Sequence, residues 1–423
     1  MVPNPNLSFF SFSLEICLVQ LRPSPGLSLL SMDVNFSRRF ENIMKITKRL
    51  CELGQGGPEA KAEAKADATN IEEQFLNVSS TADEYQELCD HYVEADQTRS
   101  TPDTMGPAIV TVSDEIFNTD GPTLGKYEWS TFYADGQAST VYKAKSTDNS
   151  AQEQVVALKI MRPDQMAQPH NARREVRILE KAKHDNIVPL LESFQQPGGK
   201  LVLVFPFLRQ DLENLLRTDS LTEVQSRMVF KGLFRALAHL HSLGIIHRDV
   251  KPSNILLKSM DGPVYLIDFG ISWAEGDIDS ENPAKKITDV GTTAYRPPEL
   301  LFGHHAYDSS LDMWAAGCVV AEMVRNSHHQ LFDAGDLGSE LALIKSIFST
   351  LGTPSDADWP SAEKYPDWGK VRFKEFPAKP WKEILPGAPK PAVDFVSRTV
   401  CYETTKRMTA AEALRHSLAQ EFK

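Results

Sequence analysis

Hydrophobic positions divide this chain into an N-terminal helical part and a longer part of mixed structure. In residues 32–96, apolar side chains recur at spacings of three and four, the period of an amphipathic helix. The first stripe consists of Phe36, Phe40, Ile43, Thr47 and Leu50. A second helix is predicted after Pro58, and Thr81 with Glu84 has the spacing of a capping box ahead of a third. The pattern leaves open whether these helices form a bundle that binds a partner or pack on the rest of the protein.

The pattern changes after residues 97–125, which are rich in Thr, Asp, Pro and Gly and which we interpret as a linker. Beyond the linker, short β-branched runs predict strands at Thr140–Tyr142, Val155–Ile160 and Leu201–Val204. Longer stripes predict helices at Ser226–Leu243 and Leu311–Val324. Strands followed by helices indicate an α+β domain with a cleft between two lobes.

Composition and charge exclude several classes of function. The chain has 423 residues, and 57 acidic against 45 basic side chains give a formal charge of −12. Such a protein is not expected to bind nucleic acid or an anionic membrane surface. Its five cysteines are widely spaced, which indicates a reduced environment such as the cytoplasm or the nucleus. Residues 1–31 are predicted to be a disordered leader, or an artefact of gene prediction if translation begins at Met32.

The most informative motif is the run His247–Asn254, with the sequence HRDVKPSN, which follows a helical stripe and precedes an apolar strand. Fourteen residues after Asn254 comes Asp268–Gly270, with the sequence DFG. Val156–Lys159 lies upstream and Pro297–Glu299 lies downstream. These pieces, in this order, make up the protein-kinase signature set. Residues 126–422 therefore resemble the eukaryotic Ser/Thr protein kinases, which implies a two-lobed fold with a β-rich N-lobe and a helical C-lobe.

The resemblance assigns catalytic roles to four side chains. Lys159 corresponds to the strand lysine that holds the α- and β-phosphates of ATP, and Glu175, 16 residues later, corresponds to its helix-borne partner. Asp249 corresponds to the residue that orients the substrate hydroxyl and accepts its proton. Lys251 corresponds to the lysine that neutralises the γ-phosphate, and its position is typical of Ser/Thr kinases rather than tyrosine kinases. Phosphoryl transfer needs such charges because its transition state spreads negative charge over the phosphoryl oxygens.

The resemblance also implies that the chain uses ATP and Mg²⁺. Asn254 and Asp268 correspond to the metal ligands, and their oxygens are of the hard type that Mg²⁺ prefers. The glycine-rich loop is the weak part of the match, because only Gly136 survives where the family pattern has three glycines, with Ala134 and Ser139 at the other two places. The residues that correspond to the nucleotide site are Gly136, Val141, Ala157, Lys159, Phe205, Leu208, Asp211 and Leu256.

The C-terminal half narrows the resemblance to the cyclin-dependent-kinase-like group. The runs that carry this match are Tyr295–Gly303, Leu311–Cys318 and Leu351–Pro354, and Glu299 is expected to pair with Arg407. Three features differ from the cell-cycle members of this group. The motif before Glu175 through which those kinases bind a cyclin, which we call the cyclin-reading string, is absent. Gln137 and Ala138 replace the Thr-Tyr pair that inhibitory kinases modify, and Gly291 replaces a residue with a strained backbone that forms a pocket for proline. In this combination the chain resembles fungal single-subunit kinases that activate cyclin-dependent kinases.

Two functions remain open at this point. The first is an active, monomeric Ser/Thr kinase that takes part in the cell cycle, phosphorylates a cyclin-dependent kinase and needs no cyclin. The second is a catalytically weak scaffold that docks partners through its helical N-terminus and its C-lobe. The intact Lys159, Asp249, Asn254 and Asp268 favour the first, and the poor glycine-rich loop is the support for the second.

Three expectations concern the segment that follows Asp268. The acidic run Glu275–Glu281 is predicted to be a solvated loop. Thr288 has the position of a phosphorylation site that pairs with Arg248, although an unmodified, exposed threonine is the slightly favoured alternative. Gly291 takes a left-handed backbone without strain, so we expect its carbonyl to stay available and the substrate not to need a proline after the phosphoacceptor. Arg296, which supports proline selection in this group, points the other way.

Overall fold

The computed structural model describes residues 121, 123–136, 138–148, 155–335 and 338–421, together with six residues further upstream. These fall into two compact units, one within residues 1–112 and the other within residues 113–423. No helix among these residues is long and apolar enough to cross a bilayer. The predicted leader, the helix after Pro58, the capping box at Thr81 and nearly all of the linker lie outside the described residues.

The N-terminal unit is helical wherever it is described. The residues concerned are Asn42, Lys45, Ile46, Lys48, Gln86 and Cys89. The side-chain amides of Asn42 and Gln86 exchange two hydrogen bonds of 3.2 Å, so the two helical stretches approach each other here. Ile46 and Cys89 are buried. The helical extension over residues 32–96 otherwise lies outside the described residues and stays a prediction.

The second unit opens with a five-stranded antiparallel sheet in the order β1-β2-β3-β5-β4. Its strands are β1 (Tyr127–Asp135), β2 (Ser139–Ser146), β3 (Val155–Met161), β4 (Glu192–Gln196) and β5 (Lys200–Pro206). The three predicted strands are confirmed as β2, β3 and β5. Because side chains alternate along a strand, the sheet has two different faces. Val156, Leu158, Val202 and Val204 form the apolar core on one face.

The other face of the sheet carries the residues that matter for chemistry. Ala157 lies opposite Phe205, and Lys159 lies opposite both Val141 and Leu203, so all five side chains share this face. Helix α1 (Ala172–Lys181) packs here, with Ala172 against Leu203. Its first turn is capped by Asn171, whose side chain accepts a hydrogen bond from the Arg174 amide at 2.9 Å.

Short strands and helices form the rest of the unit. Strands β6 (Gln210–Asp211), β8 (Ile255–Leu257) and β9 (Val264–Leu266) pair in one small sheet, and β7 (Ile245–Ile246) pairs with β10 (Trp273–Ala274) in another. The α-helices that follow α1 are α2 (Leu212–Arg217), α3 (Glu223–Ser242), α4 (Pro298–Leu301), α5 (Ser310–Val324), α6 (Glu340–Leu351), α7 (Trp381–Ile384), α8 (Lys390–Thr399), α9 (Ala410–Ala413) and α10 (Leu418–Glu421).

The helical lobe is built around two buried helices. Helix α3 begins at a capping box in which Thr222 and Gln225 each bind the other's backbone amide, and helix α5 is buried along nearly its whole length. Both helices confirm sequence predictions. The expected pair of Glu299 and Arg407 is also present, with two hydrogen bonds of 2.5 and 2.7 Å between fully buried groups. Such bidentate geometry compensates the cost of burying two charges.

Candidate active site

Lys159 lies at the centre of a three-residue ionic cluster between the sheet, helix α1 and the Asp268–Gly270 turn. Its Nζ is 2.7 Å from Oε1 of Glu175 and 2.8 Å from Oδ1 of Asp268. The expected pairing of Lys159 with Glu175 is therefore present. The turn is joined to helix α1 by a backbone bond as well, since the Asn171 amide donates to the Gly270 carbonyl at 3.0 Å.

The electrostatics of this cluster keep opposite charges on Lys159 and Asp268. Burial acts to lower the pKa of Lys159, but the neighbouring Asp268 and Glu175 outweigh it and raise the pKa above its usual value. Burial acts to raise the pKa of Asp268, but the Lys159 ammonium holds it well below its usual range. Burial raises the pKa of Glu175, whose side chain is only 1% exposed. Asp268, at 46% exposure, is the member of the cluster that faces solvent.

Asp249 is held by four donors at the edge of the cleft. Its Oδ1 accepts bonds of 2.9 Å from both the amide and the hydroxyl of Thr292. Its Oδ2 accepts a bond of 3.0 Å from the Asn254 amide and pairs with Lys251 Nζ at 3.0 Å. Lys251 also donates to the Thr292 hydroxyl at 2.8 Å. The predicted residues Asp249, Lys251 and Asn254 are thus brought together, and the orientation of the Asp249 carboxylate is fixed.

Sequence analysis missed Thr292 and Asp312, which hold this loop in place. Asp312 is fully buried in helix α5 and accepts bonds of 2.9 Å from the backbone amides of His247 and Arg248 and from the His241 ring. The signal was available in Leu311–Cys318, because an acid inside an apolar helical stripe needs buried donors. Thr292 had no comparable signal, since a hydroxyl residue in a loop is common.

Two non-glycine residues at the site have left-handed backbones. Arg248 has φ 73° and Asp268 has φ 63°. Such conformations persist only where the surroundings enforce them, and they concentrate at functional sites. Here the surroundings are the Asp312 bond to the Arg248 amide and the Lys159 bond to the Asp268 carboxylate.

A backbone hydrogen bond closes the tip of the glycine-rich hairpin. Gly136 donates its amide to the Ser139 carbonyl at 2.8 Å, and Asp135 pairs with Thr140 in the register of β1 and β2. A Cβ added at Gly136 would approach the Ser139 carbonyl at 3.4 Å, an ordinary contact. Gln137 lies outside the described residues. The hairpin therefore forms without the full glycine pattern.

The predicted adenine residues lie near the segment that joins the two lobes. Val141, Ala157 and Phe205 share the cleft face of the sheet, and Leu256 pairs with Asp211 across β8 and β6. Leu208, which lies between Phe205 and Asp211 in the sequence, is buried. The Asp211 side chain caps helix α2 by accepting the Asn214 amide at 2.7 Å, a structural role in addition to the predicted ribose contact.

Tyr133 is a further residue of this region that sequence analysis did not single out. Its ring lies edge-on to Phe207 at 5.1 Å, which joins the hairpin to the segment between the lobes. The available signal was an aromatic residue just before the degenerate loop. In the structure, the Tyr133 side chain is 51% exposed.

A cleft of about 1150 Å³ opens between the hairpin, the segment that runs from Arg162 to His170 ahead of helix α1, and the loop of Asp249. Of the predicted site residues, Gly136, Asp249, Lys251 and Asp268 line it. The other predicted site residues do not line this cleft. The cleft thus brings together the predicted catalytic residues Asp249 and Lys251 and the predicted metal ligand Asp268.

The residues present suit Mg²⁺ with bound nucleotide. The charged Asp268 supplies a hard oxygen. The side-chain nitrogen of Asn254 donates a hydrogen bond of 2.8 Å to the Asp249 backbone carbonyl, so the side-chain oxygen of Asn254 points away from that carbonyl. The described residues contain no cluster of three His, Cys, Asp or Glu side chains that would hold a metal by themselves.

Comparison with known proteins decides the family. Residues 132–419 of this chain match the family model described as "Protein kinase domain". The chain belongs to the protein kinase family. It is 39% identical over 238 residues to the Serine/threonine-protein kinase csk1 of Schizosaccharomyces pombe, covering 55% of this chain and 76% of that protein. It is 35% identical over 298 residues to Cyclin-dependent kinase 7 of Xenopus laevis, covering 69% of this chain and 80% of that protein.

These findings establish the kinase fold and its class. The five-stranded N-lobe and the helical C-lobe are those of a protein kinase, and the chain is a Ser/Thr protein kinase similar to the cyclin-dependent kinases. A protein kinase domain implies ATP as the phosphate donor.

The structure corrects the expectation for Gly291 in this kinase. Gly291 has the expected left-handed backbone, at φ 77°, but its carbonyl accepts a bond of 2.9 Å from Arg296 Nε. The bond occupies one of the two lone pairs of the carbonyl oxygen, so the carbonyl is not as available as expected. Arg296 is held in turn by Asp289 and Glu340 at 2.7 and 2.8 Å. Which residue is selected after the phosphoacceptor stays a prediction.

The structure also corrects the expectation for the acidic run Glu275–Glu281, which is not a solvated loop along its length. Arg177 binds Asp277 at 2.7 Å and Asp279 at 2.6 Å, and Arg248 binds Glu281 at 3.0 Å. The physical reason is that arginines distant in the sequence converge on this segment, a contact that charge patterning along the chain does not show.

Proposed function

We propose that this kinase phosphorylates the activation segment of a cyclin-dependent kinase and needs no cyclin to do so. The observation that carries the second part is the cluster of Lys159, Glu175 and Asp268, which is assembled from residues of this chain alone. In the cyclin-dependent kinases, the cyclin moves the helix that bears the glutamate towards the lysine. Here Asn171 binds Gly270 and Arg177 binds Asp277, and these contacts hold helix α1 in that position.

The first part of the proposal is supported by the sequence and by the relatives. The chain has a C-lobe of the cyclin-dependent-kinase type, a degenerate glycine-rich loop and no cyclin-reading string, the combination of the fungal single-subunit activating kinases. One relative carries the name of a cyclin-dependent kinase and the other that of a Ser/Thr kinase. The dependence on a cyclin that the name Cyclin-dependent kinase 7 states is a property of that relative.

For catalysis, we assign the roles that the resemblance to the protein kinases implies, and the arrangement of the charged groups supports them. Lys159 would hold the α- and β-phosphates, and Asp268 with Asn254 would bind Mg²⁺, which would neutralise phosphate charge. The oxygen of the substrate hydroxyl forms a bond to the γ-phosphorus, and the bond between that phosphorus and the leaving ADP breaks. Asp249 accepts the proton that the hydroxyl loses. Lys251, 3.0 Å from Asp249, stabilises the transferred phosphoryl group. Thr292 keeps the Asp249 carboxylate aimed at the cleft.

The scaffold alternative rests on the poor glycine-rich loop alone. The hairpin forms without the missing glycines, and the ionic cluster is complete. Both observations favour catalysis.

The proposal is tested by incubating the purified full chain with ATP, Mg²⁺ and an unphosphorylated cyclin-dependent kinase, with and without its cyclin. We expect phosphate on the substrate's activation-segment threonine in both reactions. A substrate with that threonine changed to alanine is the control and should stay unlabelled. Phosphorylation of a generic basic protein but not of the cyclin-dependent kinase would contradict the substrate assignment. Activity that requires a cyclin added for this chain would contradict the other part.

A further inference from the structure

Two buried arginines lie beside the catalytic residues. Arg174 precedes Glu175 in helix α1, and Arg248 precedes Asp249 in the catalytic loop. They are 1% and 2% exposed. A buried guanidinium group is unfavourable unless an anion and hydrogen-bond acceptors surround it, so the arrangement of both residues depends on the anion between them.

That anion is the side chain of Glu281. Arg248 Nη1 is 3.0 Å from Oε1 of Glu281, and Arg248 Nη2 is 3.3 Å from Oε2. Arg174 Nη1 lies 3.7 Å from Oε2. One carboxylate therefore bridges the arginine of the helix and the arginine of the catalytic loop.

Glu281 is well placed to remain a carboxylate. Its side chain is 9% exposed, and its backbone carbonyl accepts a bond of 2.9 Å from the Trp273 indole. Burial acts to raise the pKa of Glu281, but the charge of Arg248 outweighs it and the pKa lies below its usual value. The side chain is thus ionised at neutral pH.

The residues just before Glu281 bind the same helix. Arg174 Nη1 donates to the Asp279 carbonyl at 3.0 Å, and Arg177 binds the carboxylates of Asp277 and Asp279. The segment is consequently joined to helix α1 at several points, and helix α1 bears Glu175. A change in the charge of Glu281 would therefore alter the position of Glu175 relative to Lys159 and the position of Asp249.

We propose that Glu281 is a positioning residue that takes the place of a phosphate group on the activation segment. In many kinases, phosphorylation orders this segment through new bonds between arginines and a phosphothreonine. Here a carboxylate of the chain already makes such charge-assisted bonds. The kinase is therefore active without phosphorylation. The proposal rests on the kinase activity of the family and not on which protein is the substrate.

The proposal also answers the question of Thr288. A phosphate on Thr288 would need Arg248, but Arg248 is already bound to Glu281 and to the Ile271 carbonyl. Phosphorylation of Thr288 is thus not required for activity. Thr288→Ala should retain the activity of the wild-type chain.

The central experiment compares Glu281→Gln with the wild-type full chain, using a substrate that the wild type phosphorylates. We expect kcat to fall about 10- to 100-fold, since charge-assisted bonds from Arg248 are lost. Thermal unfolding should also shift to a lower temperature, because two buried arginines lose their shared anion, so kcat is compared at a temperature at which both proteins are folded. Glu275→Gln removes the same charge from an exposed position of the same segment and is the matched control. It should keep kcat within about twofold of wild type, as is usual for surface changes.

A rescue experiment separates positioning from general stability. Glu281→Ala leaves space between the two arginines for a small carboxylate, so added acetate should raise its kcat in a saturable manner. Sodium chloride at equal ionic strength should not, and acetate should leave the Glu275→Gln control unchanged. Glu281→Asp, which keeps the charge, should be more active than Glu281→Gln.

Wild-type protein provides a test that needs no variant. Phosphatase treatment, checked by mass spectrometry of the activation segment, should leave kcat unchanged. A large loss of activity together with loss of a phosphate from this segment would overturn the proposal. Near-normal kcat in Glu281→Gln, or equal response of Glu281→Ala to acetate and chloride, would overturn it too.

Discussion

The glycine-rich hairpin and the catalytic loop flank the same cleft, yet their sequences match the kinase pattern very differently. The hairpin keeps one glycine of three, whereas the catalytic loop keeps every residue that chemistry needs. The structure supplies the reason. The hairpin tip is formed by backbone bonds, such as Gly136 to Ser139, which many side chains tolerate. The catalytic loop depends on side chains, because Asp249 alone accepts four bonds.

The difference teaches where substitutions are permitted in this kinase. Phosphates bound by backbone N–H groups need close approach of the chain and not a particular side chain. Charge on a transferring phosphoryl group must be met by fixed carboxylates and ammonium groups, for which no backbone group substitutes. The comparison leads to predictions of decreasing size.

The largest effect is expected in the ionic cluster. Lys159→Met and Asp268→Asn should each lower kcat by about 10²- to 10³-fold, because each removes a charge that is fixed before the transition state forms. Thermal unfolding should change little in Asp268→Asn, since Asp268 faces solvent, and more in Lys159→Met, since the buried Glu175 loses its counter-ion. Steady-state kinetics and calorimetry measure the two effects. Asp261→Asn, an exposed change away from the cleft, is the control. Near-normal turnover in either cluster variant would show that the assigned roles are wrong.

The second effect concerns the anchoring of the catalytic loop. Asp312→Asn should lower the free energy of unfolding by about 3 kcal/mol, because buried donors lose a charged acceptor. It should also lower kcat, since His247 and Arg248 are held by Asp312. Denaturant unfolding and kinetics of the same preparation test this. A variant with full stability would contradict the anchoring role.

The same residue predicts a pH dependence. Burial acts to raise the pKa of Asp312, but its bond with His241 outweighs this and the pKa lies below its usual value. The charged form therefore stabilises the folded protein above about pH 4, the ordinary range of an aspartate. This stabilisation is lost as the pH falls through the folded-state pKa. Between pH 5 and pH 3, the wild type should lose more unfolding free energy than Asp312→Asn.

A smaller effect is expected in substrate selection. Arg296→Ala frees the lone pair of the Gly291 carbonyl that Arg296 occupies, so the carbonyl should accept the amide of a residue other than proline more readily. The preference for proline after the phosphoacceptor should fall by about tenfold, the worth of one hydrogen bond. A peptide array with wild type and variant measures it. An array in which wild type shows no proline preference would restore the expectation drawn from the sequence.

The smallest effect is expected in the hairpin. Changing both Ala134 and Ser139 to glycine should lower the KM for ATP about two- to fivefold, in line with the ~0.5–1 kcal/mol difference in conformational freedom between Gly and Ala. The value of kcat should be unchanged. A KM that stays the same or rises would mean that the hairpin already lets its backbone reach the phosphates, which would sharpen the contrast with the catalytic loop.

Prediction from the sequence succeeded where local pattern and chemistry coincide. Strands β2, β3 and β5 and helices α3 and α5 follow from hydrophobic periodicity, and the pairing of Lys159 with Glu175 follows from motif spacing. It failed where a residue acts through partners distant in the chain. Thr292 and Asp312 hold Asp249 and its loop across gaps of 43 and more than 60 residues.

The sequence by itself determined the kinase family, the two lobes and the identity of the charged groups, because those depend on residue type, order and short-range periodicity. Only the tertiary structure decided what the acidic run and Gly291 do. Glu281 lies 33 residues from Arg248 in the chain and 3.0 Å from it in space, and Arg296 occupies the Gly291 carbonyl. Whether a surface charge is solvated or bound depends on which distant groups folding brings beside it, and this is decided by packing.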